Sequence, residues 1–182
     1  YDILTQNIPY QTRGEYFNAL FQRHGGKTGI LLDLACGTGS LSEVMDGLGW
    51  DVIGVDGSSD MLMEAMAKKA RSGKDILYLC QDMRDLDLYG TVDGCICALD
   101  SLNHVGQPKD VQRIFDRVAL FLAPGGLFLF DVNTRYKHEQ ILSGRTFVYD
   151  MDEVFCVWQN SVCKNGAVQI SLDFFGLQED GS

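Results

Sequence analysis

The chain has 182 residues, of which 46% are hydrophobic and 22% charged, and this ordinary balance predicts one folded domain rather than a disordered chain. The net charge is −10, and the only cluster of basic residues, 68–71, has the pattern of an exposed helix end, which disfavours nucleic acid as a partner. No apolar run reaches the roughly 18 residues of a membrane span and no basic, apolar leader is visible, so we predict no membrane association.

Apolar strands alternate with helical patterns along most of the chain. A helix is predicted over residues 10–24, and Pro9 precedes its first residue. Strands are predicted at 30–34, 52–56, 76–79, 92–99 and 127–130, and three helices between them are centred near 45, 64 and 116. Ser58 or Ser59 caps the second of these helices, on which Met66 is expected to face inward. The alternation predicts an α/β fold with a doubly wound, mostly parallel sheet.

After about residue 145 the pattern changes to short extended segments. These lie at 147–149, 154–158, 168–170 and 172–175, and Lys164-Asn165-Gly166 is a good turn between two of them. We therefore expect an antiparallel β addition, placed on the sheet or over its mouth as a possible substrate cover.

Six cysteines and three histidines give no convincing metal site. Cys95 and Cys97 would share one face of a strand, but no second pair or nearby histidine completes a ligand set. The histidines also lack metal spacing, so we predict no metal. Buried thiols in a reducing cytoplasm are the favoured interpretation, and they predict a cytoplasmic location.

Ligands of open α/β sheets bind beyond the carboxyl ends of the strands, so the residues that follow each strand are informative. After the first strand, Gly37 and Gly39 allow a tight turn, and the helix behind them aims free N–H groups at an anion. Asp33, at the end of the same strand, can hold a cation. The site thus suits a ligand with both a carboxylate and an ammonium group, although a tight turn without a ligand is the alternative.

Acidic residues follow the next two strands as well. Asp56 lies 19 residues beyond Gly37, the right place to accept hydrogen bonds from ribose hydroxyls; its alternative role is a helix cap together with Ser58. Asp82 can accept from an adenine amino group and the Met83 backbone can pair with the ring edge, unless they belong to a solvated acidic loop. Met61 could pack on the purine, although a methionine at helical spacing is more often a core residue.

Several of these segments together resemble the cofactor motifs of class I S-adenosylmethionine-dependent methyltransferases. They are Asp33-x-x-x-Gly37-x-Gly39, Gly54-Val55-Asp56, Gln81-Asp82-Met83, the run 93–104, which is similar to the fourth motif, and the run 120–127, which leads into the fifth strand. The resemblance covers residues 30–133 in order. Tyr1-Asp2 and Pro9-Tyr10 are also similar to small bacterial members with an N-terminal helical lid.

The resemblance implies S-adenosylmethionine as cofactor, S-adenosylhomocysteine as product, and in-line methyl transfer. A small-molecule acceptor is favoured over protein or RNA, and an amine, oxygen, carbon or thiol nucleophile is compatible with the site. By position the resemblance implies these cofactor-binding residues: Asp33, Ala35, Gly37 and Gly39 around the methionine part, Asp56 at the ribose, Asp82 and Met83 at the adenine, and Leu99 and Asn103 near the sulfonium, with Gly57, Met61 and Tyr10 counted among them. Many members have a glycine where this chain has Ala35, so position 35 is expected not to need a positive φ.

The domain prediction follows from the same resemblance. Residues 1–28 would form a helical lid, 29–145 the cofactor-binding core and 146–182 the antiparallel addition, all within one compact unit. The family's sheet normally ends with two further strands, one of them antiparallel, and these final strands are expected to be absent from this chain. The sequence carries no signal for the oligomeric state.

No catalytic residue is fixed by the sequence, because methyl transfer from a sulfonium needs orientation and water exclusion more than a base. Candidates are Asp100, His104 and Asn133, with a turn cap as the alternative for Asp100 and an ordinary polar loop residue for His104.

Two functions other than methyl transfer remain open. An NAD(P)-dependent oxidoreductase would place Ser42 at the third glycine of its fingerprint, which is a mismatch. A non-catalytic cofactor-binding or interaction protein is the other.

Overall fold

The structure, a computed structural model, describes residues 8–150, 154–163 and 168–176. Contacts within the chain form two compact units, of which the first ends at Val132 and the second begins at Asn133. The domain boundaries expected from the sequence stay a prediction.

The first unit alternates helices and strands, as the apolar pattern predicts. Its elements are α1 (Tyr10–Arg23), β1 (Ile30–Leu34), α2 (Ser40–Gly47), β2 (Asp51–Asp56), α3 (Ser59–Ser72), β3 (Leu77–Cys80), β4 (Val92–Cys97), α4 (Pro108–Phe121) and β5 (Leu122–Phe130). Short 3₁₀ turns lie at Met83–Asp85 and Ser101–His104. The five strands are all parallel, in the order β3-β2-β1-β4-β5. This confirms the doubly wound α/β fold.

Both faces of the sheet are covered, which explains why its central strand is almost wholly apolar. Successive residues of a strand face opposite sides: Leu31 packs with Phe21 and Met45, whereas Leu32 packs on the other side with Ile114. Each of these side chains is fully buried, and each such burial stabilises the fold by roughly 1.5–3 kcal/mol. The core therefore fixes the sheet, and the strand ends are free to form a site.

Helix α3 begins and ends with local signals that the sequence carries. The Ser58 hydroxyl accepts a hydrogen bond from the Met61 N–H at 3.3 Å, so Ser58 is the cap. Gly73 ends the helix in the left-handed conformation, with φ of 71°. The expectation that Met66 faces inward is wrong, because its side chain is 50% exposed, and the buried positions of this helix are Leu62 and Ala65.

Strand β5 begins five residues earlier than predicted, at Leu122. The helix centred near 116 is predicted to stop at Pro124-Gly125-Gly126, and these residues instead lie inside the strand. The pairing with β4 shifts register between Val92 and Gly94, so the extra residues form an irregularity in the strand. Among the described strands β5 lies at the edge of the sheet, which is where prolines within strands are usually found.

The second unit contains the predicted antiparallel addition. A π-helical turn at Lys137–Leu142 precedes β6 (Thr146–Asp150), β7 (Val154–Val162) and β8 (Val168–Gly176), which pair in that order. The two extended segments predicted at 168–170 and 172–175 form one strand. The predicted turn Lys164-Asn165-Gly166 lies outside the described residues.

Candidate functional site

A cavity opens where the strand order reverses between β1 and β4, at their carboxyl ends. Its lining residues are Tyr10, Asp33, Ala35, Cys36, Gly37, Thr38, Ser40, Leu41, Ala98, Leu99 and Ser101. Five residues predicted for the cofactor are thereby brought together: Tyr10, Asp33, Ala35, Gly37 and Leu99. The other seven lie outside this lining: Gly39, Asp56, Gly57, Met61, Asp82, Met83 and Asn103.

The turn after β1 places three alternate residues in the left-handed region. Their φ angles are 61° at Ala35, 56° at Gly37 and 73° at Gly39. The expectation that position 35 does not need a positive φ is therefore wrong. Ala35 adopts the left-handed backbone conformation, which costs an alanine roughly 1–2 kcal/mol relative to glycine.

The two glycines of this turn differ in what surrounds them. A Cβ added to Gly37 would meet no atom within 4 Å, so Gly37 borders open space. A Cβ added to Gly39 would overlap the Tyr78 Oη and would lie 3.1 Å from the Ala65 Cβ. Gly39 is thus required by packing, whereas Gly37 leaves room beside the cavity.

Asp56, at the end of β2, holds this turn in place. One carboxylate oxygen accepts the Gly37 N–H at 2.8 Å, and the other accepts the Ser58 N–H at 2.8 Å. The sequence alternative, a local cap at Ser58, is therefore present, and it coexists with a contact across the strands. Asp56 is half-buried, and each carboxylate oxygen keeps a second lone pair for a ligand. Its ribose role stays a prediction.

Asp33 lines the cavity and is buried, with 2% of its surface exposed. The Ser42 hydroxyl donates to its carboxylate at 2.6 Å, from the first turn of α2. Burial raises the pKa of Asp33 to about 6, the Ser42 hydrogen bond opposes this, and the neighbouring Asp56 charge adds to it. Ser42, which mismatches the dinucleotide fingerprint, is thus a buried partner of Asp33.

We expect this raised pKa to make the stability difference between wild type and Asp33→Asn depend on pH. An acid whose pKa is higher in the folded state stabilises the fold below its unfolded pKa of 3.8, and this contribution is lost as the pH rises through about 6. Wild type should lose roughly 2–3 kcal/mol relative to Asp33→Asn between pH 4 and pH 7. Urea unfolding of both proteins across this range measures it. A constant difference would contradict the assignment.

Cys36 lines the same cavity but is a poor nucleophile. Burial raises the pKa of its thiol, and the charges of Asp33 and Asp56 raise it further. Among the six cysteines, all free, Cys80 and Cys163 are exposed, so the expectation of buried thiols is wrong at these two positions.

A lysine of α3, which was not among the predicted residues, donates hydrogen bonds to the glycine turn after β1. The Lys68 ammonium donates to the Thr38 hydroxyl at 2.9 Å and to the Ser40 hydroxyl at 2.6 Å. Lys68 is half-buried, so assigning it to an exposed helix end was wrong. Its position three residues after the buried Ala65 is the signal that places it on the inner side of the helix.

The loop after β3 is organised by an arginine that the sequence analysis did not consider. The Asp82 carboxylate accepts hydrogen bonds from the Arg84 backbone N–H and from its Nε, each at 2.8 Å, and from its Nη2. These hydrogen bonds lower the pKa of Asp82 to about 2. Asp82 therefore caps the short turn that begins at Met83, and the Gln81 N–H donates to the Asp56 carbonyl at 3.0 Å, which joins this loop to β2.

The loop after β4 contains two consecutive non-glycine residues in the left-handed region, Leu99 and Asp100, with φ of 59° and 64°. The Asp131 carboxylate accepts both of their N–H groups, at 3.1 Å and 2.8 Å. Asp131 was not among the predicted residues, although it directly follows β5, and Asp33 and Asp56 likewise lie at the carboxyl ends of β1 and β2. The predicted Asn133 belongs to the second unit, where it pairs with Lys137.

The remaining catalytic candidates lie on or beside the short turn after β4. Asp100 is half-buried, whereas the His104 side chain is exposed, as is that of Asn103, which was predicted to lie near the sulfonium. Within residues 8–150, 154–163 and 168–176, no three His, Cys, Asp or Glu side chains are grouped to hold a metal ion, and no helix is long and apolar enough to cross a membrane.

Residues 31–126, which include this turn and these loops, match the family described as "Methyltransferase domain". A protein of Bacillus subtilis (strain 168) named as a methyltransferase, YqeM, is 34% identical over 161 residues, covering 88% of this chain and 63% of that protein. A glycine/sarcosine N-methyltransferase of Parasynechococcus marenigrum (strain WH8102) is 29% identical over 149 residues, covering 80% of this chain and 51% of that protein.

Solved structures are similar as well. The crystal structure of an S-adenosylmethionine-dependent methyltransferase from Clostridium acetobutylicum ATCC 824 matches with a TM-score of 0.87 and 31% identity, covering 98% of this chain and 72% of that one. The chain therefore spans only part of the length of each of these relatives.

Proposed function

We propose that this chain, which belongs to the family of S-adenosylmethionine-dependent methyltransferases, transfers a methyl group from S-adenosylmethionine to a small-molecule acceptor by in-line displacement. One observation carries the proposal. The glycine turn after β1 is tied to the acidic end of β2, beside an open cavity at the point where the strand order reverses.

The residues of this cavity, together with Asp56 and Asp82 at the neighbouring strand ends, fit the family's cofactor. Gly37 leaves open space where a side chain would stand, so a ligand can approach the turn closely. We assign the ammonium group of the methionine part to Asp33 and the ribose hydroxyls to Asp56. At Asp82, three of about four acceptor sites are taken by Arg84, which leaves one on Oδ2 for the adenine amino group.

When bound, the cofactor supplies an electrophilic methyl group on a sulfonium with a good leaving group. The protein then has to orient the acceptor in line with that bond and to exclude water. Tyr10 and Leu99, which line the cavity, are suited to exclude water. Asp100 and His104 are candidates for holding a proton that the acceptor loses, and they are needed only if the acceptor is protonated.

A small acceptor is favoured over a nucleic acid by the charge of the chain. Its net charge is −10, and the basic residue Lys68 faces the glycine turn rather than forming a surface patch. The relative that methylates glycine and sarcosine, by its name, also acts on small molecules. Six free cysteines support a cytoplasmic location.

Incubation of the purified chain with methyl-labelled S-adenosylmethionine and a panel of small amines, hydroxy compounds and thiols tests the function. Label transferred to one acceptor class, together with an equal amount of S-adenosylhomocysteine, is the expected result. Binding of S-adenosylhomocysteine without turnover on any acceptor would favour a non-catalytic binder instead. Binding of NADH would favour the oxidoreductase.

Gly37→Ala should weaken S-adenosylhomocysteine binding at least about 10-fold, because its methyl group would enter the space left for the ligand. The cost in stability should be only roughly 1–2 kcal/mol, since no protein atom lies within 4 Å. Gly73→Ala is the matched control: φ is 71° and its Cβ would also meet nothing, but it lies at the end of α3. Calorimetry and thermal unfolding measure both. Equal affinity of the two variants would remove Gly37 from the site.

A further inference from the structure

The strained turn after β4 needs a physical cause. Left-handed backbone at a non-glycine residue costs of order 1–3 kcal/mol, and it persists only where surrounding groups enforce it. Leu99 and Asp100, two consecutive residues, both adopt this conformation although neither is a glycine. Leu99 also lines the cavity, so the strain falls on a residue of the proposed site.

Asp131 is placed to enforce this conformation. It directly follows β5, where Phe130 pairs with Cys97, and its own N–H donates to the Cys97 carbonyl at 3.3 Å. Its side chain therefore extends over the end of β4, where Oδ2 accepts from the Leu99 N–H at 3.1 Å and Oδ1 from the Asp100 N–H at 2.8 Å. One carboxylate thus satisfies two adjacent N–H groups that point to the same side.

The same carboxylate also contacts the N-terminal helix. The Arg13 Nη1 lies 3.5 Å from the Asp131 Oδ2, in a partly exposed ion pair. Arg13 stands three residues after Tyr10, so both side chains lie on one face of α1, and Tyr10 lines the cavity. Asp131 therefore connects two walls of the cavity, the turn after β4 and helix α1.

We propose that Asp131 is a positioning residue, which holds the Leu99–Asp100 turn in its left-handed form and fixes α1 beside it. The inference rests on the proposed function, because it assigns these two walls to the cofactor. Asp131 is not among the residues that line the cavity, so we assign it no contact with the methyl group.

A rescue experiment tests this role. Asp131→Asn keeps one oxygen but replaces the other by an NH₂ group, which faces an N–H donor, so the turn should lose its enforced form. We expect S-adenosylhomocysteine binding to weaken about 10-fold or more in calorimetry. Adding Asp100→Gly should restore binding to within about 3-fold of wild type, because glycine adopts the left-handed form without steric cost.

Asp93→Asn is the matched control for lost stability. Asp93 also accepts a backbone N–H, that of Ile30 at 2.8 Å, but it lies at the start of β4, away from the cavity. It should lower the melting temperature without changing the dissociation constant. If Asp131→Asn does the same, its role is structural only and the inference is overturned.

Amide hydrogen exchange separates this inference from the proposed function. The Leu99 and Asp100 N–H groups should exchange at least about 10-fold faster in Asp131→Asn than in wild type, with no ligand present. Unchanged exchange would overturn the inference. If wild type binds no S-adenosylhomocysteine, the proposed function fails, and exchange alone decides whether Asp131 holds the turn.

Arg13→Gln tests the link to α1. It leaves in place the two backbone N–H groups, those of Leu99 and Asp100, that donate to the Asp131 carboxylate. It should weaken ligand binding by about 3-fold and leave the exchange of Leu99 and Asp100 unchanged, since an exposed ion pair contributes less than about 1 kcal/mol. Binding equal to wild type would remove α1 from the proposed role and would overturn that half of the inference.

Discussion

Replacement of Asp56 by alanine is expected to weaken S-adenosylhomocysteine binding at least about 30-fold. The carboxylate accepts the Gly37 and Ser58 N–H groups, each at 2.8 Å, and hydrogen bonds to a charged group contribute roughly 1.5–3 kcal/mol each. The substitution therefore removes the tie between the glycine turn and β2, together with the proposed acceptor for the ribose. Isothermal titration calorimetry measures the change.

Asp60→Ala is the control for the loss of one negative charge. Asp60 lies four residues further on, exposed in the first turn of α3, and it should change affinity less than about 3-fold. Asp56→Asn should be intermediate, since it keeps one oxygen acceptor. Wild-type affinity in Asp56→Ala would show that the end of β2 does not contact the ligand.

Gly39→Ala is expected to give the largest loss of stability, roughly 2–5 kcal/mol. Two effects add. Its φ of 73° is unfavourable for alanine, and the new methyl group would overlap the Tyr78 Oη, with the Ala65 Cβ 3.1 Å away on its other contact. Urea denaturation of the wild-type and variant proteins measures the difference in free energy of unfolding.

A second substitution separates these two effects. Tyr78→Phe removes the hydroxyl that the new methyl group would strike, so the double variant should recover part of the loss. Gly73→Ala, with a similar φ and open space around it, gives the contribution of φ alone. If Gly39→Ala is no less stable than Gly73→Ala, the packing around the turn differs from that described.

Much of the fold follows from the sequence because apolar strands covered on both faces leave a clear pattern. The run from Ile30 to Leu34 is fully apolar except for Asp33, and Asp33 stands out because it lies beside the carboxyl end of the strand. The spacing of 19 residues between Gly37 and Asp56 placed both at the same edge of the sheet, and in the structure the Gly37 N–H donates a hydrogen bond to the Asp56 carboxylate. Motif spacing therefore located the glycine turn and the end of β2.

The contacts that support the site are less visible in the sequence. Ala35 has a side chain that disfavours positive φ, so residue type alone gave the wrong backbone conformation. Lys68 and Asp131 act over 28 to 32 residues of sequence, on hydroxyl and backbone groups that carry no pattern. Strand β5 starts early because of a register shift, which depends on its partner strand. Such features arise from tertiary packing, which local periodicity does not encode.

Calorimetric titration of the wild-type chain with S-adenosylhomocysteine, beside NADH, tests whether the cavity between β1 and β4 holds the methyltransferase cofactor. We expect saturable binding with one site per chain, and no binding of NADH. A folded chain that binds NADH but not S-adenosylhomocysteine would contradict the assignment of the cavity between β1 and β4.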